Sequence, residues 1–208
     1  MSAGARIACD LRGRIFAGEL AVGSPLREVE LVDHYGTSRH TVREAIRELI
    51  AGGLASQDPR HSARVRELGR DDIRDLFGLR RMLKLEALRR TVDADSPVDP
   101  LVAAVELREA VETGSDGSRY SAAEMDADLA FHRALMLASG SPRLARAFDT
   151  VAGELRLAFL WLAHESGDRG DHRAILAAVV ARDIGRAAEL LDLHIRDGLR
   201  ICLAAARP

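Results

Sequence analysis

The chain has 208 residues, of which 47% are hydrophobic and 30% charged, and its formal net charge is −2. That balance describes a folded globular chain with room for two modest domains, and it excludes a disordered or collagen-like polymer. No apolar run approaches the ~20 residues of a membrane span, and the start MSAGARIACDLRGRIF places charges among its apolar residues, which argues against a secretory leader.

Taken in chain order, Ile7, Leu11 and Ile15 fall four residues apart and predict a first amphipathic helix ending near Gly18. AVGSPL reads as a turn. A short helix from about Arg27 to Tyr35 follows, with Leu31, Val32 and Tyr35 as its apolar face, and Gly36 breaks it. Ser38 is a good N-cap for the next helix, because its hydroxyl can accept an early backbone N–H. That helix carries Val42, Ile46 and Leu49 on one side and ends at Gly52-Gly53. LASQ and ARVRE are strand-like pieces joined by the turn residues DPRHS. From Asp71 onward strand signals vanish, and helices are expected at about 71–92, 100–113, 120–139, 142–165, 171–182 and 184–205. The expected fold class is therefore mostly α: a winged helix-turn-helix with a small β-hairpin over residues 1–68, then an all-α bundle over residues 69–208. The two cysteines, Cys9 and Cys202, form no CxxC pair, so a reduced, cytoplasmic setting is the plain expectation.

Charge is uneven along this plan. Residues 38–66 hold Arg39, Arg43, Arg47, Arg60, Arg64 and Arg66 against Glu44, Glu48 and Asp58, a basic stretch on a near-neutral chain. A winged helix-turn-helix lays its recognition helix in the major groove with its early residues toward the bases. Arg39 and Arg43 are four apart and share a face opposite the Val42/Ile46/Leu49 stripe. The arginine fork suits guanine O6 and N7, worth roughly 1–3 kcal/mol of discrimination per good contact. Ser38, His40, Thr41 and Arg47 complete the surface, with Ser38, Thr41 and Arg47 suited to phosphates. Arg60 and His61, at the wing tip, are placed to reach the backbone or minor groove.

The stretch LREVELVDHYGTSRHTVREAIRELIAGGLASQDPRHSARV resembles the GntR family, whose run of Ser-Arg-x-x-Val-Arg-Glu-Ala-Leu followed by Glu-Gly-Leu is matched by SRHTVREAIRELIAGGL at 38–54. The resemblance implies double-stranded DNA as a partner, bound by a homodimer at a short palindromic operator. Two departures stand out. His40-Thr41 replaces the usual Thr-Pro, and Arg60-His61-Ser62 replaces the usual Arg-Gly, so the wing tip is expected to differ in shape.

In the helical half, Asp128 and His132 are four apart, on a face continued by Leu135 and Ser139. His172 opens the face His172, Ile175/Leu176, Val179, and His194 lies in the stripe Ala187, Leu191, His194, Gly198, Ile201. All four polar residues point toward a common core and need partners there. One carboxylate with three imidazoles suits a divalent ion such as Zn²⁺, Ni²⁺ or Mn²⁺. Separate hydrogen bonds within the core are an equally consistent reading of the pattern. Arg80 sits on the stripe Ile73, Leu76/Phe77, Arg80, Leu83, Ala87, where an inward guanidinium wants a carboxylate or phosphate, from a ligand or from an internal partner such as Glu86 or an acid on another helix, unless the side chain snorkels to solvent.

This half looks like the FCD domain of one GntR subfamily, whose pattern of Asp-x-x-x-His, a His opening a later helix and a last His near the C-terminus is matched by Asp128, His132, His172 and His194. The resemblance implies that these four hold a metal ion and that Arg80 faces the pocket of a small-molecule effector, an organic acid. The family's usual glutamate four residues after that arginine is Lys84 here. The function implied is a ligand-responsive transcriptional regulator. The alternatives are a metal-dependent helical enzyme, for which no HExxH, GxSxG or phosphate loop is present, and a purely structural, dimer-forming role for the helical half.

Overall fold

A computed structural model describes residues 1–57, 62–94, 97–113, 122–160 and 172–205. The chain divides into two compact units, Met1–Leu68 with Gly153–Leu157, and Gly69–Ala152 with Ala158–Pro208.

The first unit opens with α1 (Ala3–Phe16), capped by Ser2, whose hydroxyl accepts the Ala5 N–H at 3.1 Å. Its buried stripe is Ile7, Leu11 and Ile15 as the spacing predicts, and α1 packs on α3 (Arg39–Ala51). Between them α2 (Glu28–Tyr35) also packs on α3 and stops at Gly36, whose φ of 58° is the left-handed turn that glycine adopts without strain. Ser38 caps α3 by accepting the Thr41 N–H at 3.2 Å. Val42, Ala45, Ile46 and Leu49 are the buried face of α3 and meet Leu11 and Leu54 in a fully enclosed core.

After a left-handed turn at Gly53 (φ 71°), β1 (Ala55–Ser56) pairs antiparallel with β2 (Arg64–Val65), Ala55 opposite Val65. Pro25 adds a further bridge to Arg64. Ala55 and Val65 point inward while Ser56 and Arg64 face out, the alternation a half-buried strand requires. The strands are shorter than LASQ and ARVRE suggest, although Arg66 N–H still donates to the Leu54 carbonyl at 2.9 Å beyond their ends. The wing tip, residues 58–61, lies outside the described residues, and with it Arg60 and His61.

The second unit is built from α4 (Arg70–Asp93), α5 (Asp99–Thr113), α6 (Ala122–Ala138), α7 (Pro142–Leu160, apart from Gly153–Leu157), α8 (His172–Val180) and α9 (Ile184–Ala205). Helix α4 packs on α6, α8 and α9, α5 on α6 and α8, and α8 on α9. Phe77, Phe131, Leu135, Ile175 and Leu191 fill the space they enclose. The expected limits at 120, 165 and 171 lie outside the described residues. The helix expected to run to 182 ends at Val180, because Arg182 takes a left-handed φ of 58° and reverses the chain. Asp183 then caps α9 by accepting the Arg186 N–H at 2.9 Å. No helix among the described residues is long and apolar enough to cross a membrane.

Candidate functional site

The front of α3 presents Ser38, Arg39, His40, Arg43 and Arg47 to solvent, with Thr41 half-buried. Ser38 is occupied locally: besides its cap, its hydroxyl lies 2.9 Å from that of Thr41. Arg39 and His40 have no hydrogen bond or ion pair among the described residues. Arg43 differs from the expectation of a free fork. Its Nε donates to both oxygens of Glu28, at 2.8 and 3.0 Å, so α2 holds the guanidinium in place. Arg47 donates from Nε to the Arg43 carbonyl at 3.2 Å. An open groove runs beside these residues, lined by Arg27, His40, Arg43, Arg47, Gln57 and Ser62. Arg27 and Gln57 carry no motif of their own, and only their place in the fold adds them to this surface.

In the second unit, α6 supplies Asp128 and His132 one turn apart, α8 supplies His172 at its first residue, and α9 supplies His194. One ligand atom from each lies within 4.8 Å of every other. His172 Nε2 is 3.2 Å from Asp128 Oδ1, and His132 Nε2 is 3.7 Å from Oδ2. His194 Nε2 is 3.8 Å from Oδ1 and 3.0 Å from His132 Nε2. Asp128, His132 and His172 are buried, and the His194 side chain is 10% exposed. Phe131 packs edge-on against the rings of His132 and His172 and fixes their tilt.

The protonation states follow from the surroundings. Burial opposes ionisation of Asp128, but His132, His172 and Arg80 outweigh it and hold the carboxyl well below its usual range. Burial drives His132 and His194 well below the ordinary imidazole value and lowers His172 as well, with the nearby cations adding to the effect. The cluster is thus one carboxylate with neutral imidazoles, the form in which these groups ligate a metal.

The donor set fits a divalent ion. For bonds of about 2.1 Å, neighbouring donors of an octahedral site lie about 3.0 Å apart and opposite ones about 4.2 Å. The cluster's separations, from 3.0 Å up to a limit of 4.8 Å, bracket those values. The contact at 3.0 Å joins two like atoms, the Nε2 of His132 and of His194. Only one of them can donate to the other, so a lone pair at least is aimed into the space the four residues share. Asp128, His132, His172 and His194 are the residues that would hold the ion.

Arg80 is 1% exposed, and its guanidinium sits 5.1 Å from the Phe77 ring centre and 5.0 Å from that of Phe159, both distances for a cation–π contact. Its Nη2 lies 3.4 Å from Asp128 Oδ2. The internal partner is therefore Asp128 and not Glu86, which pairs with Arg89 and Arg90 on the surface. Gly198 of α9 lies close against this pair: a Cβ there would stand 3.3 Å from the Phe77 ring, a tight contact, and 3.5 Å from Arg80 Nη1. Two further buried cations were not singled out from the sequence. Arg108 of α5 places Nη1 3.5 Å from Asp128 Oδ1 and Nη2 2.5 Å from Glu112. Lys84, one turn beyond Arg80, is fully buried. The signal for Arg108 was the one that exposed Arg80, a charge on an apolar stripe (Leu101, Ala104, Val105, Arg108).

The profile of the gntR family of bacterial regulatory proteins matches residues 3–65, and that of the FCD domain matches residues 75–197. A relative described as the probable D-xylose utilization operon transcriptional repressor of Paenarthrobacter nicotinovorans is 30% identical, over 87% of this chain and 80% of that protein. The galactonate operon transcriptional repressor of Escherichia coli is 29% identical, over 88% and 89%. The crystal structure of a GntR transcriptional regulator from Rhodococcus sp. RHA1 superimposes over 100% of both chains, with a TM-score of 0.84 at 27% identity. These families are transcriptional regulators, which removes the ground for a metal-dependent enzyme. The chain belongs to the GntR family of bacterial regulatory proteins, in the group that carries an FCD domain, and is a transcriptional regulator.

Proposed function

We propose that this regulator is a cytoplasmic repressor that binds a palindromic operator as a homodimer, and that a divalent metal and a small organic acid in the helical unit control that binding. Arg39 and His40 read base edges, Arg43 is steadied by Glu28 for the same task, and Ser38, Thr41 and Arg47 hold phosphates; Arg60 and His61, outside the described residues, are further candidates from the sequence. The observation that carries the effector side is the convergence of Asp128, His132, His172 and His194 from three helices, next to a buried Arg80. When bound, the ion supplies Lewis-acid positions for a ligand carboxylate. Arg80 holds Asp128 in place and supplies positive charge for the acid. Of the two relatives, one is named for the operon of a sugar acid and the other for that of a neutral sugar. Arginines buried at the site favour the acid for this chain.

A ligand shifts DNA affinity only by its differential affinity for two arrangements of the protein. The test is elemental analysis of tag-free protein together with electrophoretic shifts on its operator, with and without chelator and acid. About one equivalent of metal per chain, lost in His132→Ala, and an acid-dependent shift that this variant lacks are expected. A metal-free wild type whose DNA binding ignores every small acid would overturn the reading.

A further inference from the structure

Among the described residues of the second unit, buried cations outnumber buried carboxylates. Arg80, Lys84 and Arg108 are the buried cations among the described residues, and Glu124 and Asp128 the buried carboxylates. Asp128 is already shared among Arg80, Arg108 and the imidazoles, and a divalent ion on it adds more positive charge. Lys84 is the member left over. Its Nζ is fully buried and meets no hydrogen-bond acceptor among the described residues. It follows Arg80 by one helical turn, which places the two side chains on one face with Cβ atoms about 6 Å apart. It is also within electrostatic reach of Arg80, Asp128 and all three imidazoles, so it belongs to the same site.

Burial, with Arg80 beside it, pushes Lys84 well below the ordinary lysine range, so its charged form is costly until an anion meets it, and a well-packed apolar residue of the same volume would avoid that cost altogether. A lysine in this place is explained by an anion that arrives with the ligand. Resting on the effector reading above, we infer that Lys84 is a binding residue for a second acidic group, so that the effector is a short organic acid with two anionic groups, one at the Arg80–Asp128 side and one on the Lys84 ammonium. A single carboxylate leaves Lys84 without an acceptor among the described residues. A second one at the far end of a short carbon chain meets it directly, with up to three donors on a compact charge.

Calorimetric titration of the full-length protein with length-matched probes tests this: succinate against butyrate, and glutarate against valerate. The wild type should bind the better diacid at least tenfold more tightly than its monoacid. In Lys84→Met that preference should collapse to threefold or less, because diacid binding weakens more than monoacid binding does. Lys84→Gln repeats the measurement with a polar side chain, and the wild-type ratio depends on no variant. Equal wild-type affinities for diacid and monoacid, or a preference that survives both substitutions, overturn the role of Lys84 while leaving a monoacid effector standing. Binding of neither class, in a protein that still holds its metal, overturns the acid-effector reading and this inference together.

Discussion

Replacing Asp128 by asparagine keeps the side chain's shape and removes its charge, which isolates the electrostatics of the cluster. The carboxylate is 3% exposed, with Arg80 Nη2 at 3.4 Å and Arg108 Nη1 at 3.5 Å. At an effective dielectric constant of about 20, unit charges about 3.5 Å apart attract by roughly 5 kcal/mol. Relaxation and water entry recover part of that for each arginine, and removing one partner of a buried pair typically costs about 3–5 kcal/mol. In chelator-treated protein at pH 7.5, Asp128→Asn should therefore lose about 3–5 kcal/mol, or roughly 6–20 °C in Tm for a chain of this length. Urea unfolding followed by circular dichroism measures the first and calorimetry the second. Adding Lys84→Met to the variant should restore at least about 1 kcal/mol, because it removes one of the stranded cations. A loss under about 1 kcal/mol for the single variant would refute the reasoning, since Asp128 would then not be what balances Arg80 and Arg108.

Stability of the metal-free protein should also fall with acid. The folded-state values of His132, His172 and His194 lie below the ordinary 6.5, so as pH drops through 6.5 the unfolded chain takes up protons that the fold refuses. The stabilisation is complete above that pH and is lost below it, at up to about 1.4 kcal/mol per pH unit for each imidazole; urea midpoints that stay flat from pH 7.5 to 5.5 would contradict it. At the DNA surface, Arg39→Ala should cost about 1–3 kcal/mol and relax sequence preference at one position of each half-site, whereas Arg47→Ala should weaken all sequences alike and lower the salt slope by about one. Binding titrations over operator variants and salt concentrations separate the two. Gly36→Ala forces a Cβ into the left-handed turn that ends α2 and should cost about 1–2 kcal/mol, read as a lower urea midpoint.

The parts of this fold that the sequence made legible are those whose signal is local. The spacing of Ile7, Leu11 and Ile15, the cap at Ser38 and the break at Gly36 each act within a turn or two of helix, and each holds in the structure. The inward faces of Asp128, His132, His172 and His194 were legible for the same reason, since helical periodicity fixes which way a side chain points. What periodicity cannot give is the partner across helices. Arg43 reads as a free fork until α2 brings Glu28 beside it. For Arg80, periodicity leaves Glu86, an acid on another helix and a ligand open, and the fold selects Asp128 of α6. Lys84 was visible only as a departure from the family pattern, and its burial depends on α4 being covered by α6, α8 and α9 together.

That covering bears on why so much charge is kept in the bundle. Stability alone gives no reason for it, because buried ion pairs seldom outperform apolar packing of equal volume. Around Asp128 the aromatic rings of Phe77, Phe131 and Phe159 already provide the apolar walls that a plain core needs. The charges set among them are therefore a cost that the rest of the bundle offsets. A ligand that supplies the missing negative charge returns that cost, and it stabilises the folded unit by an amount that grows with its concentration relative to Kd. The coupling between ligand and stability is then largest at Lys84, the buried cation that has no acceptor among the described residues.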